Sequence, residues 1–172
     1  VREVERLPDV PDDDAGHPDA VLSFIGELAA FDHLRQRVVL IANAHVPRGA
    51  AEAEVDAAYD DAVARLERLA ADGASPLDEP LVEPPDPDDP PPATTSSMGS
   101  ERYQAAVREA REHILAGDIF QVVLAQRFSF DLDADPFDFY RVLRQVNPSP
   151  YMYFVRTPEV TLAGSSPEPM VQ

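Results

Sequence analysis

Two stretches in the second half of the sequence combine residue types that can bind a small molecule. The first is GDIFQVVLAQRF, residues 117–128, in which Gln121, Gln126 and Arg127 interrupt an otherwise apolar run. The second is NPSPYMYF, residues 147–154, in which two prolines precede a cluster of aromatic and methionine residues. Proline fixes the backbone and leaves carbonyls unpaired, while Tyr and Met form an adaptable apolar wall. The second stretch therefore suits an apolar amino acid such as tryptophan, although core packing explains the same composition.

Several other chemistries lack the residues that they need. The sequence contains no cysteine and no lysine, which excludes disulfides, thiolate metal sites and Schiff-base chemistry. The four histidines show no zinc-binding spacing, and neither a phosphate loop nor a nucleophile elbow occurs. The series Asp131, Asp133, Asp135 begins like a calcium loop, but Pro136 stands where glycine is required. We therefore predict a solvated strand end with a helix cap there, and no metal site.

The charge distribution limits the possible partners. The net charge is −18, and residues 51–100 contain thirteen acidic residues but only two basic ones. A surface of this kind argues against nucleic acid, because a phosphate backbone requires a basic partner. No apolar run approaches the roughly 18 residues of a membrane helix, and the first residues do not resemble a signal peptide. We expect a soluble, cytoplasmic protein that binds no membrane.

Hydrophobic periodicity and turn residues predict alternating strands and helices. In the first half, the predicted elements are antiparallel strands over residues 21–32 and 37–44 and a helix over 50–71, with Gly73 as its end. In the second half, a helix over 101–116 is predicted to be capped by Ser100 and closed by Gly117, and a strand over 119–130 follows it. Asp135-Pro136 then opens a helix over 137–146, and residues 151–156 form a hairpin with residues 160–163. The predicted fold class is α+β, with antiparallel sheets flanked by helices.

A proline-rich stretch predicts the domain boundary. From Pro76 to Pro92, eight of 17 residues are proline and six are acidic. No packed helix or strand tolerates this composition, so a stiff, solvated linker is predicted over residues 76–99. It separates residues 1–75 from residues 100–172.

The motifs GDIFQVVLAQRF, YRVLRQVNPSPYMYF and LAGSSPEPMV, in this order and spacing, resemble the start of the chorismate-binding domain of the anthranilate synthase component I family. VLSFIGELAAFDHLRQRVVLIANA resembles the end of that family's N-terminal domain. The resemblance implies that residues 1–75 are the C-terminal part of the N-terminal domain and that residues 100–172 begin the catalytic domain. The chain is thus expected to be an internal fragment containing part of the family's sandwich of sheets.

The resemblance also implies an activity. The family converts chorismate and ammonia to anthranilate and pyruvate in tryptophan biosynthesis, a lyase reaction assisted by Mg²⁺. The ammonia comes from glutamine through a partner amidotransferase subunit, component II. The family's catalytic and magnesium residues match no position here, so we predict no catalytic residue in this chain and no turnover by it alone.

Tryptophan is the family's feedback inhibitor, and NPSPYM matches one half of its binding pocket. The resemblance therefore assigns inhibitor binding to Pro150, Tyr151 and Met152, with Asn147 and Gly164 as neighbours. Two alternatives stay open. The parent protein could be the related aminodeoxychorismate synthase component I, or the chain could be a non-catalytic module that senses tryptophan.

Overall fold

The computed structural model describes residues 13–77 and 79–168. The chain divides into two compact units, Val1–Pro80 and Leu81–Gln172. The division falls inside the linker predicted over residues 76–99. The domain assignment built on that linker stays a prediction.

The first unit is built on a two-stranded antiparallel hairpin. Strands β1 (Glu27–Asp32) and β2 (Arg37–Ala42) pair from Glu27 opposite Ala42 to Asp32 opposite Arg37. This confirms the predicted pairing, although β1 begins six residues later than residue 21. In the turn, Asp32 accepts hydrogen bonds from the Arg35 amide at 3.0 Å and from the Arg35 and Arg37 side chains. These bonds, led by the Arg35 amide, hold the pKa of Asp32 below its usual 3.8.

Helix α1 (Glu52–Ala74) packs against this hairpin, mainly against β2. The helix was predicted over residues 50–71 and continues through Gly73, so the prediction that Gly73 ends it is wrong. Its Ala62, 6% exposed, is the one buried apolar residue in the described part of the chain. Val55 and Tyr59, which the periodicity places on the same apolar stripe, remain 41% and 65% exposed. Because the hairpin is shorter than α1, it covers only the later turns of the helix.

One arginine ties α1 to the base of the hairpin. The Arg65 guanidinium donates to the Gly26 carbonyl at 2.9 Å and to the Asn43 carbonyl at 2.8 Å. Its Nε pairs with Asp61 one turn earlier on the helix at 2.9 Å. The Asn43 amide also donates to the Gly26 carbonyl at 2.8 Å, which closes the hairpin below its last strand pair.

The second unit begins with a short strand pair that differs from the prediction. Strand β3 (Thr95–Ser96) pairs antiparallel with β4 (Phe128–Ser129). The predicted strand over residues 119–130 is therefore wrong except at its end, because residues 119–127 form no regular strand. A strand that is apolar on both faces needs partners on both sides. The described part of the chain pairs only Phe128 and Ser129.

Helix α2 (Ser100–Ala116) lies between β3 and β4 in the chain. Ser100 is the first helical residue rather than the cap, and its hydroxyl accepts a hydrogen bond from Gln104, so the predicted Ser100 cap is wrong. Gly117 closes the helix as predicted, in the left-handed conformation at φ 84° that glycine adopts without strain. At this end, His113 Nδ1 lies 2.9 Å from the Asp118 carboxylate, and this bond raises the pKa of His113 above 6.5.

Helix α3 (Pro136–Val146) and the hairpin of β5 (Tyr151–Arg156) and β6 (Thr161–Ser166) form the rest of the second unit. Their pairing confirms the predicted helix and hairpin, with β6 extended to Ser166. Asp135 caps α3 as predicted, since its carboxylate accepts the Phe137 amide at 2.7 Å. The antiparallel pairs with helices against them confirm the predicted α+β class.

Candidate functional site

The loop between α3 and β5, residues 147–150, contains the predicted inhibitor residues. The Asn147 amide donates to the Leu143 carbonyl at 2.9 Å, which ends the helix. The Asn147 carbonyl accepts the Ser165 hydroxyl at 2.8 Å, which fastens the loop to β6. The loop is therefore held at its start by both neighbouring elements, and Pro150 leads directly into β5.

Tyr151 and Met152 lie on opposite faces of the hairpin, because neighbouring strand residues alternate. Tyr151 pairs with Ser166, and Met152 pairs with Ser165. Met152 shares its face with Phe154, and both are half-buried. Tyr151 shares the other face with Tyr153 and is 47% exposed. The structure thus brings Met152 near the fastened Asn147 but does not place the Tyr151 side chain beside it.

Gly164 belongs to the Tyr151 face, where it stands opposite Tyr153. The Tyr153 ring lies over Gly164 and occupies the space that a β-carbon there would need. Gly164 therefore has a structural reason to be glycine, apart from any ligand. Four of the five predicted residues separate into two groups, Tyr151 with Gly164 and Met152 with Asn147, while Pro150 lies in the loop just before β5. Their assignment to an inhibitor stays a prediction.

An aromatic cluster holds the Met152 face against α3. The Phe154 ring lies 5.1 Å from the Phe137 ring, edge to face, and 5.6 Å from the Tyr140 ring. The Arg156 guanidinium lies 5.3 Å above the Phe154 ring and donates to the Asp135 carboxylate at 2.9 Å. The Phe137 amide, and after it Arg156, hold the pKa of Asp135 below 3.8. The helix cap and the hairpin are thereby joined through one carboxylate.

Next to this cluster the surface forms an open apolar groove of about 300 Å³. Its lining residues are Phe130, Leu132, Pro136, Phe139, Thr161 and Ala163. Thr161 and Ala163 lie on the same face of the hairpin as Met152. No sequence pattern reveals this groove, because it forms between a loop, a helix and a strand that only the fold brings together.

Ser149 was also missed by the sequence analysis. Its hydroxyl oxygen is enclosed and has no hydrogen-bond partner among the described residues. Buried polar groups normally have a partner, so an enclosed hydroxyl between two prolines is unusual. The proline on either side is the only sequence signal, because neither proline nitrogen can donate to it.

In the first candidate stretch, residues 117–128, hydrogen bonds explain the presence of Gln126. Its side-chain amide donates to the Ser96 hydroxyl at 2.6 Å and to the Met98 carbonyl. The Ser97 amide donates to the Arg127 carbonyl at 2.8 Å on the same segment. These bonds extend the β3–β4 pair by a few residues. They make Gln126 a connector between chain segments, whereas Gln121 is exposed.

Within residues 13–77 and 79–168, no group of three His, Cys, Asp or Glu side chains is arranged to hold a metal ion. No helix in this part of the chain is long and apolar enough to cross a membrane.

The family follows from comparison with known proteins. The family model described as chorismate binding enzyme matches residues 1–172, and the chain belongs to this family. Within it, the chain is 42% identical over 177 residues to anthranilate synthase component 1 of Mycobacterium tuberculosis, covering 99% of this chain and 34% of the relative. It is 36% identical over 183 residues to the protein of the same name from Acetivibrio thermocellus, covering 100% and 34%.

A solved structure gives the same result for the fold. The crystal structure of anthranilate synthase component I from Streptococcus pneumoniae is 30% identical and superimposes with a TM-score of 0.53. The match covers 81% of this chain and 30% of the Streptococcus pneumoniae chain. The predicted resemblance is confirmed. The chain spans about a third of the length of the relatives that it matches.

Proposed function

We propose that this chain is part of an enzyme that converts chorismate and ammonia to anthranilate and pyruvate, a lyase of tryptophan biosynthesis. The 42% identity to an anthranilate synthase component 1, continuous over 99% of the chain, carries the proposal. In the same proposal, a component II subunit supplies ammonia from glutamine, and the protein works in the cytoplasm. The relatives' name, component 1, supports a partner of this kind.

The proposed reaction uses Mg²⁺, which prefers carboxylate oxygens and water in octahedral geometry. The described residues do not fit such an ion, because no group of three potential ligands converges among them. We therefore derive no step of the reaction through magnesium from these residues. The proposal assigns the magnesium ligands and the catalytic groups to the parts of the parent protein that this chain does not include.

The contribution proposed for this chain is half of a tryptophan-binding pocket around loop 147–150. Two features support it. The loop is fastened at Asn147 by Ser165, so it presents Pro150 and the start of β5 in a fixed position. Met152 is half-buried beside the loop and offers a polarizable, apolar contact for an indole ring.

Inhibition of the intact parent protein by tryptophan tests this pocket. We expect Met152→Ala and Tyr151→Ala to raise the tryptophan concentration needed for half inhibition and to leave anthranilate formation without tryptophan unchanged. Val155→Ala is the matched control for Tyr151→Ala, because it truncates a similarly exposed side chain on the same face of β5, and it should be inhibited normally. Unchanged inhibition in both test variants would remove the pocket assignment.

The identity of the product separates the proposed enzyme from its alternatives. Anthranilate is fluorescent, so its appearance in a reaction of the parent protein with chorismate, magnesium and ammonium supports the proposal. Formation of aminodeoxychorismate instead would favour aminodeoxychorismate synthase component I. Tryptophan binding without any chorismate turnover by the parent would favour a non-catalytic sensing module. The 172-residue chain alone is expected to produce no anthranilate.

A further inference from the structure

The acidic, proline-rich segment Leu81–Asp89, here called the strap, touches α3 at one point. The Gln145 side-chain amide, in the last turn of α3, donates to the Val82 carbonyl at 3.0 Å. It also donates to the Arg141 carbonyl at 3.3 Å, which orients it along the helix. Val82 is half-buried, while its neighbour Leu81 is 93% exposed. The strap is therefore anchored to α3 at Val82 rather than lying entirely in solvent.

The helix surface beside this anchor is positively charged. Arg141, Arg144 and Gln145 line an open groove of about 300 Å³ on α3. Arg141 pairs with Asp138 at 2.8 Å, one turn earlier. Arg144 is exposed and forms no ion pair within the part of the chain that the structure describes. The groove thus contains one cation that is still available for a carboxylate.

The strap carries the opposite charge immediately after the anchor. Glu83 follows Val82, and Asp86, Asp88 and Asp89 follow within seven residues. The last three form an ordered turn, in which the Asp89 amide donates to the Asp86 carbonyl at 2.9 Å and the Asp88 amide to the Asp86 carboxylate at 2.9 Å. Proline at three of the nine strap positions stiffens the segment, so its charges move together.

We propose that the strap is an electrostatic closure for the groove on α3. It is fixed at Val82 and closes when Glu83 and the Asp86–Asp89 turn approach Arg144. The closed strap restrains the last turn of α3. That turn ends at the Asn147 amide, which donates to the Leu143 carbonyl, so the strap also restrains the start of loop 147–150. The device uses only residues of the second unit and does not depend on the proposed reaction.

Disulfide trapping measures the closure directly, because the sequence contains no cysteine. The variant Pro85→Cys with Arg141→Cys places one thiol on the moving part of the strap, beside Asp86, and one in the groove on α3. It leaves the Gln145–Val82 anchor, every strap carboxylate and Arg144 in place. The rate of disulfide formation is compared at two salt concentrations. At about 0.01 M, charges act over about 30 Å, and at about 1 M they act over about 3 Å. We expect the rate to fall about two- to fivefold at high salt, as for an exposed ion pair.

Charge substitutions in the same double-cysteine background identify the partners. Arg144→Gln should slow the disulfide at low salt to the rate seen at high salt. Glu83→Gln should slow it part of the way, because Asp86, Asp88 and Asp89 remain, and Arg144→Lys should retain most of the rate. Arg111→Gln is the matched control. It is an exposed arginine on α2, which makes no close approach to α3 within the described residues, and it should leave the rate unchanged. Circular dichroism verifies that helix content is preserved.

A charge exchange gives the decisive result. If Arg144→Glu slows the disulfide and adding Glu83→Arg restores it, the strap closes through these charges. A rate that is independent of salt and of Arg144 overturns the proposal. The proposal is also overturned if the rate depends on salt equally in the double-cysteine variant with Arg144→Gln and in the double-cysteine variant that retains Arg144. Another cation would then close the strap.

Discussion

Tyr153 and Gly164 face each other across the hairpin of β5 and β6, and the tyrosine ring fills the space where a β-carbon on residue 164 would be. The ring covers the glycine on the face opposite α3, which also carries Tyr151. The position of Tyr153 is therefore determined by the absence of a side chain on its partner strand. This relationship, rather than contact with a ligand, accounts for glycine at position 164.

Substituting Gly164 with alanine should move the Tyr153 ring off β6. The atoms in conflict belong to the outer end of a half-exposed side chain, so the ring can rotate away. We expect a loss of about 1 kcal/mol of unfolding free energy, the cost of an unfavourable rotamer. Nuclear Overhauser effects between the Tyr153 ring and residue 164 report the displacement. Adding Tyr153→Ala should remove the conflict, so a double variant less stable than the sum of the two single variants would contradict this explanation.

Arg65 should contribute more to stability than any exposed arginine of α1. Replacing it with methionine removes a charged donor from the Gly26 and Asn43 carbonyls, which close the hairpin. Hydrogen bonds to charged groups contribute about 1.5–3 kcal/mol each, so two such bonds at the low end of this range predict a loss of about 3 kcal/mol in urea unfolding.

Arg68→Met is the matched control for Arg65→Met. Arg68 lies on the same helix, is exposed, and has no hydrogen-bond or ion-pair partner in the described part of the chain. It should change the unfolding free energy by less than about 0.5 kcal/mol. Equal losses in the two variants would show that the guanidinium of Arg65 does not hold the hairpin.

Asp135 should make the second unit sensitive to acid. Its pKa lies below 3.8 because the carboxylate accepts the Phe137 amide and, second, pairs with Arg156. A lowered pKa stabilises the folded state above pH 3.8, and the contribution is lost as the pH falls through the folded value. NMR titration should show a partial rise of the Asp135 pKa in Arg156→Gln, since the Phe137 amide remains. A full return to 3.8 in that variant would mean that the cap contributes nothing.

His113 should behave in the opposite sense at the end of α2. The hydrogen bond to Asp118 raises the pKa of His113 above 6.5. The stabilisation is complete below pH 6.5 and is lost as the pH rises through the folded pKa. NMR titration of His113 should give a value above 6.5 that falls in Asp118→Asn. Glu109→Gln, the weaker electrostatic neighbour, should lower it less.

The helix ends that are set by neighbouring residues could be predicted from the sequence. Asp135-Pro136 opens α3 and Gly117 closes α2, because a cap carboxylate and a left-handed glycine act within one turn of chain. The hairpins followed from strand composition. The strand over residues 119–130 was wrong because a strand that is apolar on both faces needs partners on both sides, and composition does not reveal whether the chain supplies them. The prediction that Gly73 ends α1 was wrong because Ser75, two residues later, is the cap of the helix.

The candidate site was predictable in part. NPSPYM identified the loop, and strand alternation alone could have placed Tyr151 and Met152 on opposite faces. The Ser165 bond to Asn147, the Tyr153 ring over Gly164 and the groove beside Phe139 could not be predicted. Each depends on the register of β5 with β6 or on the packing of α3, which no short pattern specifies.

The burial of Ala62 alone, among the described residues, has a thermodynamic consequence. Compact domains gain about 12–15 cal/mol/K of heat capacity per residue on unfolding, because buried apolar surface becomes hydrated. In this chain Phe24, Phe120 and Leu81 are already more than nine-tenths exposed. We therefore expect the heat-capacity increment of this 172-residue chain to lie below that range, which would flatten the dependence of its stability on temperature.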